Sequence, residues 1–382
     1  MHAQKSIMSI YRGGNIMKKR LVALLMCAAM VTGMVAGCGN SGGSDSTDSA
    51  SNAADNTAKG EDGAEGKDIT ECTFAIVPKS AGNPYNEAEA KGFQEAIEAA
   101  GATCIVSYPE TATADAQITV LQSLISQGVD SITVAANDEN ALQATLQQAM
   151  DAGIHVSAVD SKTNADSREV FVNQADTTLI GQTLMDAIYD ITGGEGQWAI
   201  LSATSQAANQ NAWIEAMQNV MESDEKYADL ELVDIVYGDD EPQPSTEQTQ
   251  ALLQNYPDLK LICAPTTVGI NAAAKVLQDQ SSDVKITGLG LPSEMEAYVG
   301  EDNVCPYMYL WNPIDTGELA AYTAMALVSG EITGAAGDTF EAGDMENSPY
   351  TIVEASDGGT EVIVGDPFEF NQDNIAEWAD IF

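Results

Sequence analysis

Histidine is almost missing from this 382-residue chain, which has only His2 and His155. An imidazole-based metal site or a Ser-His-Asp triad is thereby nearly excluded. Basic residues are scarce as well: 15 Lys and Arg stand against 58 Asp and Glu, a formal charge of −43. Nucleic acid and anionic membrane faces both need a Lys/Arg surface, so neither is an expected partner of the protein body. The six cysteines include no CxxC pair, and no metal is expected. No apolar run reaches the length of a bilayer span. The longest, Leu21 to Gly37, has 17 residues.

The charge is unevenly placed. Residues 1–37 hold five basic residues and no acid, whereas residues 39–68 hold seven acids and two lysines. Met17-Lys18-Lys19-Arg20 reads as the start of a leader, followed by the apolar run and by Val35-Ala36-Gly37-Cys38. That order resembles the bacterial lipobox, which implies cleavage after 1–37, lipidation of Cys38 and attachment to the outer face of a Gram-positive-like cell membrane. The next segment lacks aromatics and large aliphatics, so it is expected to be a disordered acidic tether, over 38–70 with the lipidated cysteine. A tether of 30 residues spans ~30 Å.

From residue 70 short apolar runs alternate with amphipathic segments. Strands are expected at 74–78, 104–107, 131–135, 155–159 and 170–172, with helices at 86–100, 114–127 and 140–152. Glycines 101, 128 and 153 stand just past those helices, where a left-handed cap is favoured. The cycle repeats from 179 to 289. Two α/β lobes, each a doubly wound parallel sheet, follow from this alternation. Ligands of such sheets sit beyond the carboxyl ends of the strands. Cys72, Cys104, Cys263 and Cys305 lie near apolar runs and read as buried free thiols, with a Cys72–Cys104 bridge left open.

Polar residues gather at the strand ends, in strings that carry a family pattern. They are Val77-Pro78-Lys79 with Asn83-Pro84-Tyr85, Asn137-Asp138-Glu139-Asn140, Val159-Asp160-Ser161, Asn209-Gln210-Asn211-Ala212-Trp213, Tyr237-Gly238-Asp239-Asp240, Ala264-Pro265-Thr266-Thr267 and Leu310-Trp311-Asn312-Pro313. In this order the chain resembles the type I solute-binding proteins of ABC importers, closest to the rhamnose-binding and autoinducer-2-binding branch. The resemblance implies two lobes joined by a three-strand hinge: an N-lobe of 72–173 plus 312–334, and a C-lobe of 174–311 plus 335–382. It implies a monomer that passes a sugar to permease subunits, with no cofactor and no catalysis.

The resemblance to autoinducer-2 binders carries ligand contacts onto Lys79, Asp160, Gln210 and Pro265. The chain departs from them at Asn209, where that pattern has Asp, and at Thr267, where it has Ala. Both departures, with Asn137, Asp138 and Asn312, match the rhamnose branch better. Such a set suits a sugar, because carboxylate, amide and ammonium groups match its hydroxyls. Trp311 or Tyr85 would face the C–H side of the ring. Trp213 reads as core, and Asp239-Asp240-Glu241 as a solvated turn. The alternatives are autoinducer-2 binding and a sugar-sensing surface receptor. A glycoside hydrolase using Asp138 and Asp160 is disfavoured.

Overall fold

A computed structural model describes residues 66–382. The expectations for the leader, for Cys38 and for nearly all of the tether lie outside those residues. Among the described residues, no helix is long and apolar enough to cross a membrane.

The first half alternates as expected: β1 (Thr73–Val77), α1 (Pro84–Ala99), β2 (Thr103–Val106), α2 (Ala114–Gln127), β3 (Ser131–Val134), α3 (Gln143–Asp151), β4 (His155–Val159) and β5 (Val170–Asn173). Local chemistry sets the ends. Asn83 accepts from the amides of Tyr85 and Asn86 to start α1, with Pro84 at its first position. Gly128, at φ 69°, closes α2 in the left-handed region. The helix expected from Asn140 begins three residues later, because Asp138 takes the amides of Asn140 and Ala141 into a turn.

The second half runs α4 (Thr177–Thr192), β6 (Gly196–Ser202), α5 (Ala208–Ser223), β7 (Leu230–Tyr237), α6 (Pro242–Asn255), β8 (Leu259–Ala264), α7 (Thr267–Asp279), β9 (Lys285–Gly288) and the short α8 (Pro292–Met295). Then come β10 (Met308–Leu310), α9 (Pro313–Val328), β11 (Thr339–Phe340), β12 (Tyr350–Thr351), β13 (Val353–Glu354), β14 (Thr360–Ile363), β15 (Phe368–Phe370) and α10 (Ile375–Ala379).

Two sheets result. The first has the order β13-β14-β5-β4-β3-β1-β2, parallel except for β13, and the second the order β7-β6-β8-β9, all parallel. The core strands of both are apolar on both faces because helices cover each side. The segment 335–364, grouped by sequence with the C-lobe, is divided from the tail. β14 pairs with β5, and Phe340, Tyr350 and Ile352 pack into the first lobe's core. Only the tail around β15, paired with β10, stays with the second lobe. Strands of two to four residues carry too little periodicity to reveal this.

Helix α9 returns to the first lobe and lies against α1. A Cβ on Gly317 would stand 1.9 Å from the Glu89 carbonyl oxygen, and one on Gly92 2.1 Å from that of Ile314. Glycine is what lets these backbones approach. The chain crosses between the sheets at 174–176, 311–312 and 365–367, and the Val364 amide donates to the Asn173 carbonyl at 2.9 Å beside two of these crossings. The carboxyl ends of the strands of both lobes therefore face one cleft. The four cysteines of the described residues are free thiols. Burial pushes the Cys104 thiol up to about 12, far from thiolate chemistry.

Candidate functional site

The cleft holds about 380 Å³ of unfilled space. Four helix N-termini approach it: α1 through Asn83 and Tyr85, α5 through Asn209 and Gln210, α6 through the preceding Asp240, and α7 through Thr266 and Thr267. Amide ends pointing inward suit an oxygen-rich ligand.

At its floor Asp160 ends β4 with φ 57°, in the left-handed region. Asp tolerates this conformation better than most residues, yet it is a departure that needs support. The support comes from both sides. The Asp160 amide donates to the Val172 carbonyl, and its carboxylate receives the Lys79 ammonium at 3.1 Å and the Asn209 amide at 3.3 Å. Lys79 also donates to Asn209 Oδ1 at 3.0 Å. Lys79 and Asp160 belong to the first lobe and Asn209 to the second, so this triangle spans the cleft. Asn137 braces it indirectly, donating its side-chain amide to the Lys79 carbonyl at 3.0 Å.

One wall is aromatic. The Trp311 indole donates to the Tyr85 hydroxyl at 2.6 Å, and Trp213 meets Trp311 edge to face at 5.5 Å. Burial, followed by the nearby Asp160 and Glu89 carboxylates, pushes the Tyr85 phenol well above its ordinary value, so it stays neutral. Beneath them Glu89 is fully buried, with neither carboxylate oxygen bonded among the described residues. Burial and then Asp160 raise its pKa well above the usual range, and the neutral acid avoids a second buried charge beside Asp160.

The opposite rim is polar. Asp240, also left-handed at φ 55°, accepts from Asn83 across the lobes at 2.9 Å and from the Thr266 hydroxyl at 2.5 Å. Gln210 is nine-tenths buried and lines the cleft, and its Oε1 has no partner among the described residues. A buried acceptor left unpaired calls for a partner, and a ligand hydroxyl that reached it would supply one.

Of the sequence-proposed residues, the structure brings Lys79, Asp160, Asn209, Gln210, Pro265, Thr267 and Trp311 together around this space. Asn137 stands one shell back. Asp138 accepts two turn amides on its Oδ1, and Asn312 caps α9 by accepting from the Ile314 amide; neither lines the cleft. Sequence reasoning set aside Trp213 as core and Asp240 as a solvated turn, and both line the cleft. It made no ligand assignment for Asn83 or Thr266, although both fall within the quoted strings. His155, the one histidine among the described residues, sits at the amino end of β4, 3.1 Å from Glu169, and does not line the cleft.

Comparison with known proteins agrees with this architecture. The model of the family described as periplasmic binding protein domain matches residues 74–332. An ABC transporter solute-binding protein from Clostridium phytofermentas, solved with bound L-rhamnose, is 57% identical. The match covers 82% of this chain and 99% of that one, with a TM-score of 0.80. LsrB from Clostridium saccharobutylicum, in complex with AI-2, shares the fold at 23% identity and a TM-score of 0.74, over 80% of this chain and 99% of that one. The D-ribose/D-allose-binding protein of Pseudomonas aeruginosa is 26% identical over 232 residues, 56% of this chain and 69% of its own length.

Proposed function

The chain belongs to the periplasmic binding protein family as a sugar solute-binding protein of an ABC transporter, and on that premise we propose that its ligand is L-rhamnose or a closely similar deoxyhexose. The observation that carries this reading is the Lys79–Asp160–Asn209 triangle, which joins the two lobes around a sugar-sized space. Carboxylate, ammonium and amide groups meet ring hydroxyls, and Gln210 offers a further acceptor. Trp213, Trp311, Leu289 and Leu310 supply apolar surface for the C–H face and the methyl of a deoxy sugar. The relative that shares 57% identity was solved with L-rhamnose, which favours this sugar over autoinducer-2.

The same reading extends to the cell. The protein is held by a lipid on Cys38 on the extracytoplasmic face, acts as a monomer and delivers its ligand to permease subunits. Binding selects the closed arrangement because the sugar touches both lobes only there, and the closed face is what the permease reads. The ligand-binding set is Lys79, Asp160, Asn209, Gln210, Pro265, Thr267 and Trp311, joined by Asn83, Tyr85, Trp213, Asp240 and Thr266.

A melting panel of L-rhamnose, D-ribose, other deoxyhexoses and autoinducer-2 tests the reading. A ligand at 100 times its Kd adds about 2.7 kcal/mol to stability. L-rhamnose is expected to raise the melting temperature most, and Asp160→Ala to abolish that shift. A panel in which no monosaccharide moves the transition overturns it.

A further inference from the structure

Lys79 springs from a stretch with no regular structure of its own. β1 ends at Val77, Pro78 has no amide hydrogen, and α1 begins only at Pro84. The carbonyls of Pro78, Lys79 and Ser80 thus lie past the end of the strand and need partners from elsewhere. Each is taken by a side-chain amide from a different element. Gln117 on α2 donates to the Pro78 carbonyl at 3.3 Å, and Asn137, just after β3, donates to that of Lys79 at 3.0 Å. Asn86 on α1 donates to the Ser80 carbonyl at 3.2 Å and to its hydroxyl oxygen at 3.1 Å. Three consecutive carbonyls centred on Lys79 are therefore held from three sides.

Gln117 is the hub of this arrangement. It is 0% exposed and does not line the cleft. Its nitrogen gives a second hydrogen bond to the Ala135 carbonyl at 2.7 Å, and its Oε1 accepts from the Asn137 amide at 2.9 Å. One side chain thereby ties the end of β1 to the end of β3. It also fixes the backbone of Asn137, whose own side chain holds the Lys79 peptide. Desolvating an amide here is a cost that an apolar side chain would avoid. What the amide achieves is geometric. The Lys79 stem is long and flexible, and its ammonium meets Asp160 at 3.1 Å and Asn209 at 3.0 Å. Such a group stays in place only as well as the main chain that carries it.

We infer that Gln117 is a positioning residue for ligand binding: without touching the sugar, it sets affinity by holding the Lys79 peptide, directly at Pro78 and through Asn137. The inference rests on the reading that Lys79 contacts the sugar. Loss of the Gln117 amide leaves the Pro78 and Ala135 carbonyls and the Asn137 amide unpaired. The Lys79 ammonium then spreads over several placements, and the ligand must order it on binding.

Two measurements on the whole protein test this. One is calorimetric titration with L-rhamnose. The other is the nuclear magnetic resonance signal of the Lys79 ammonium in the sugar-free protein carrying isotope-labelled lysine, identified by its loss in Lys79→Gln. Gln117→Met keeps the volume and loses the amide. It is expected to weaken L-rhamnose about tenfold or more and to abolish the ammonium signal. Asn137→Ala, at a half-buried position, removes the bond to the Lys79 carbonyl and spares the sheet. It is expected to move both readouts the same way, and it decides the matter if Gln117→Met does not fold. Thr133→Val breaks a different buried bond, to the Ser157 hydroxyl at 2.9 Å on the neighbouring strand. It lowers stability, yet leaves affinity within twofold and the ammonium signal in place. Folded Gln117→Met that binds within twofold of wild type, or that keeps the signal, overturns the assignment, as does an equal loss of affinity in Thr133→Val. If L-rhamnose fails to bind wild type, the sugar reading falls by itself, and the ammonium signal still decides whether Gln117 holds Lys79.

Discussion

Asn83 Nδ2 lies 2.9 Å from Asp240 Oδ2, joining the first turn of α1 in one lobe to the loop before α6 in the other. The same Asn83 caps α1 with its oxygen, so one side chain starts a helix and closes the cleft. Asp240 answers with its second oxygen on Thr266. The contact is a latch at the rim of the space that Lys79 and Asp160 floor.

A latch of this kind governs residence time more than recognition. Asp240→Gly removes the carboxylate and tolerates φ 55°, so the backbone is left unstrained. A hydrogen bond to a charged group contributes about 1.5–3 kcal/mol, so sugar dissociation is expected to rise roughly tenfold or more. Association should change much less. Stopped-flow tryptophan fluorescence measures both; an unaltered dissociation rate removes the latch.

The approach of α1 and α9 is a question of backbone space. Gly317→Ala would set a methyl 1.9 Å from the Glu89 carbonyl, and that neighbour is main chain rather than a flexible side-chain tip. Overpacking of this kind costs about 1–3 kcal/mol. Urea unfolding is expected to show that loss with an unchanged m-value. A variant within about 0.5 kcal/mol of wild type would mean the helices can part freely.

These contacts mark where the sequence was readable and where it was not. Alternating strands and helices, the Asn83 and Gly128 caps, and the strand-end positions of Lys79 and Asp160 all follow from local pattern. Asp240 does not. An acidic turn has the same composition whether it faces water or a second lobe, and its partner Asn83 is 157 residues away. Asp138 is the converse case: it follows a strand as a ligand contact should, but two nearby amides bond its Oδ1 and it does not line the cleft. The pairing of β14 with β5 joins residues 190 positions apart through a strand too short to announce itself.

Glu318 on α9 makes stability depend on pH. Partial burial, and then the carboxylates of Asp315, Asp344 and Glu95, push its pKa up to about 7 from 4.5. Between those values the folded protein holds a proton that the unfolded chain has released, so this group lowers stability as pH rises from 4.5 to about 7. Glu318→Gln removes the effect. At pH 8 the variant is expected to be more stable by about 1 kcal/mol, a figure discounted for the side chain's partial exposure. Near pH 4.5 the two proteins should converge. Denaturant unfolding across that range measures it, and a difference independent of pH would assign the gain to packing instead.

Thr267 separates the two ligand readings most directly. It opens α7, lines the cleft and stands where the autoinducer-2 pattern carries alanine. Its hydroxyl gives a sugar one more donor and acceptor, and a neutral hydrogen bond contributes about 0.5–1.5 kcal/mol. Thr267→Ala is therefore expected to weaken L-rhamnose about two- to twelvefold while leaving the closed fold intact. The threonine methyl alone would act only as packing, so Thr267→Val keeps the shape and should lose as much affinity as alanine does. If Thr267→Val binds L-rhamnose as tightly as wild type, the hydroxyl makes no contact. A variant that gives up L-rhamnose and gains autoinducer-2 would place this one side chain at the branch point between the two ligands.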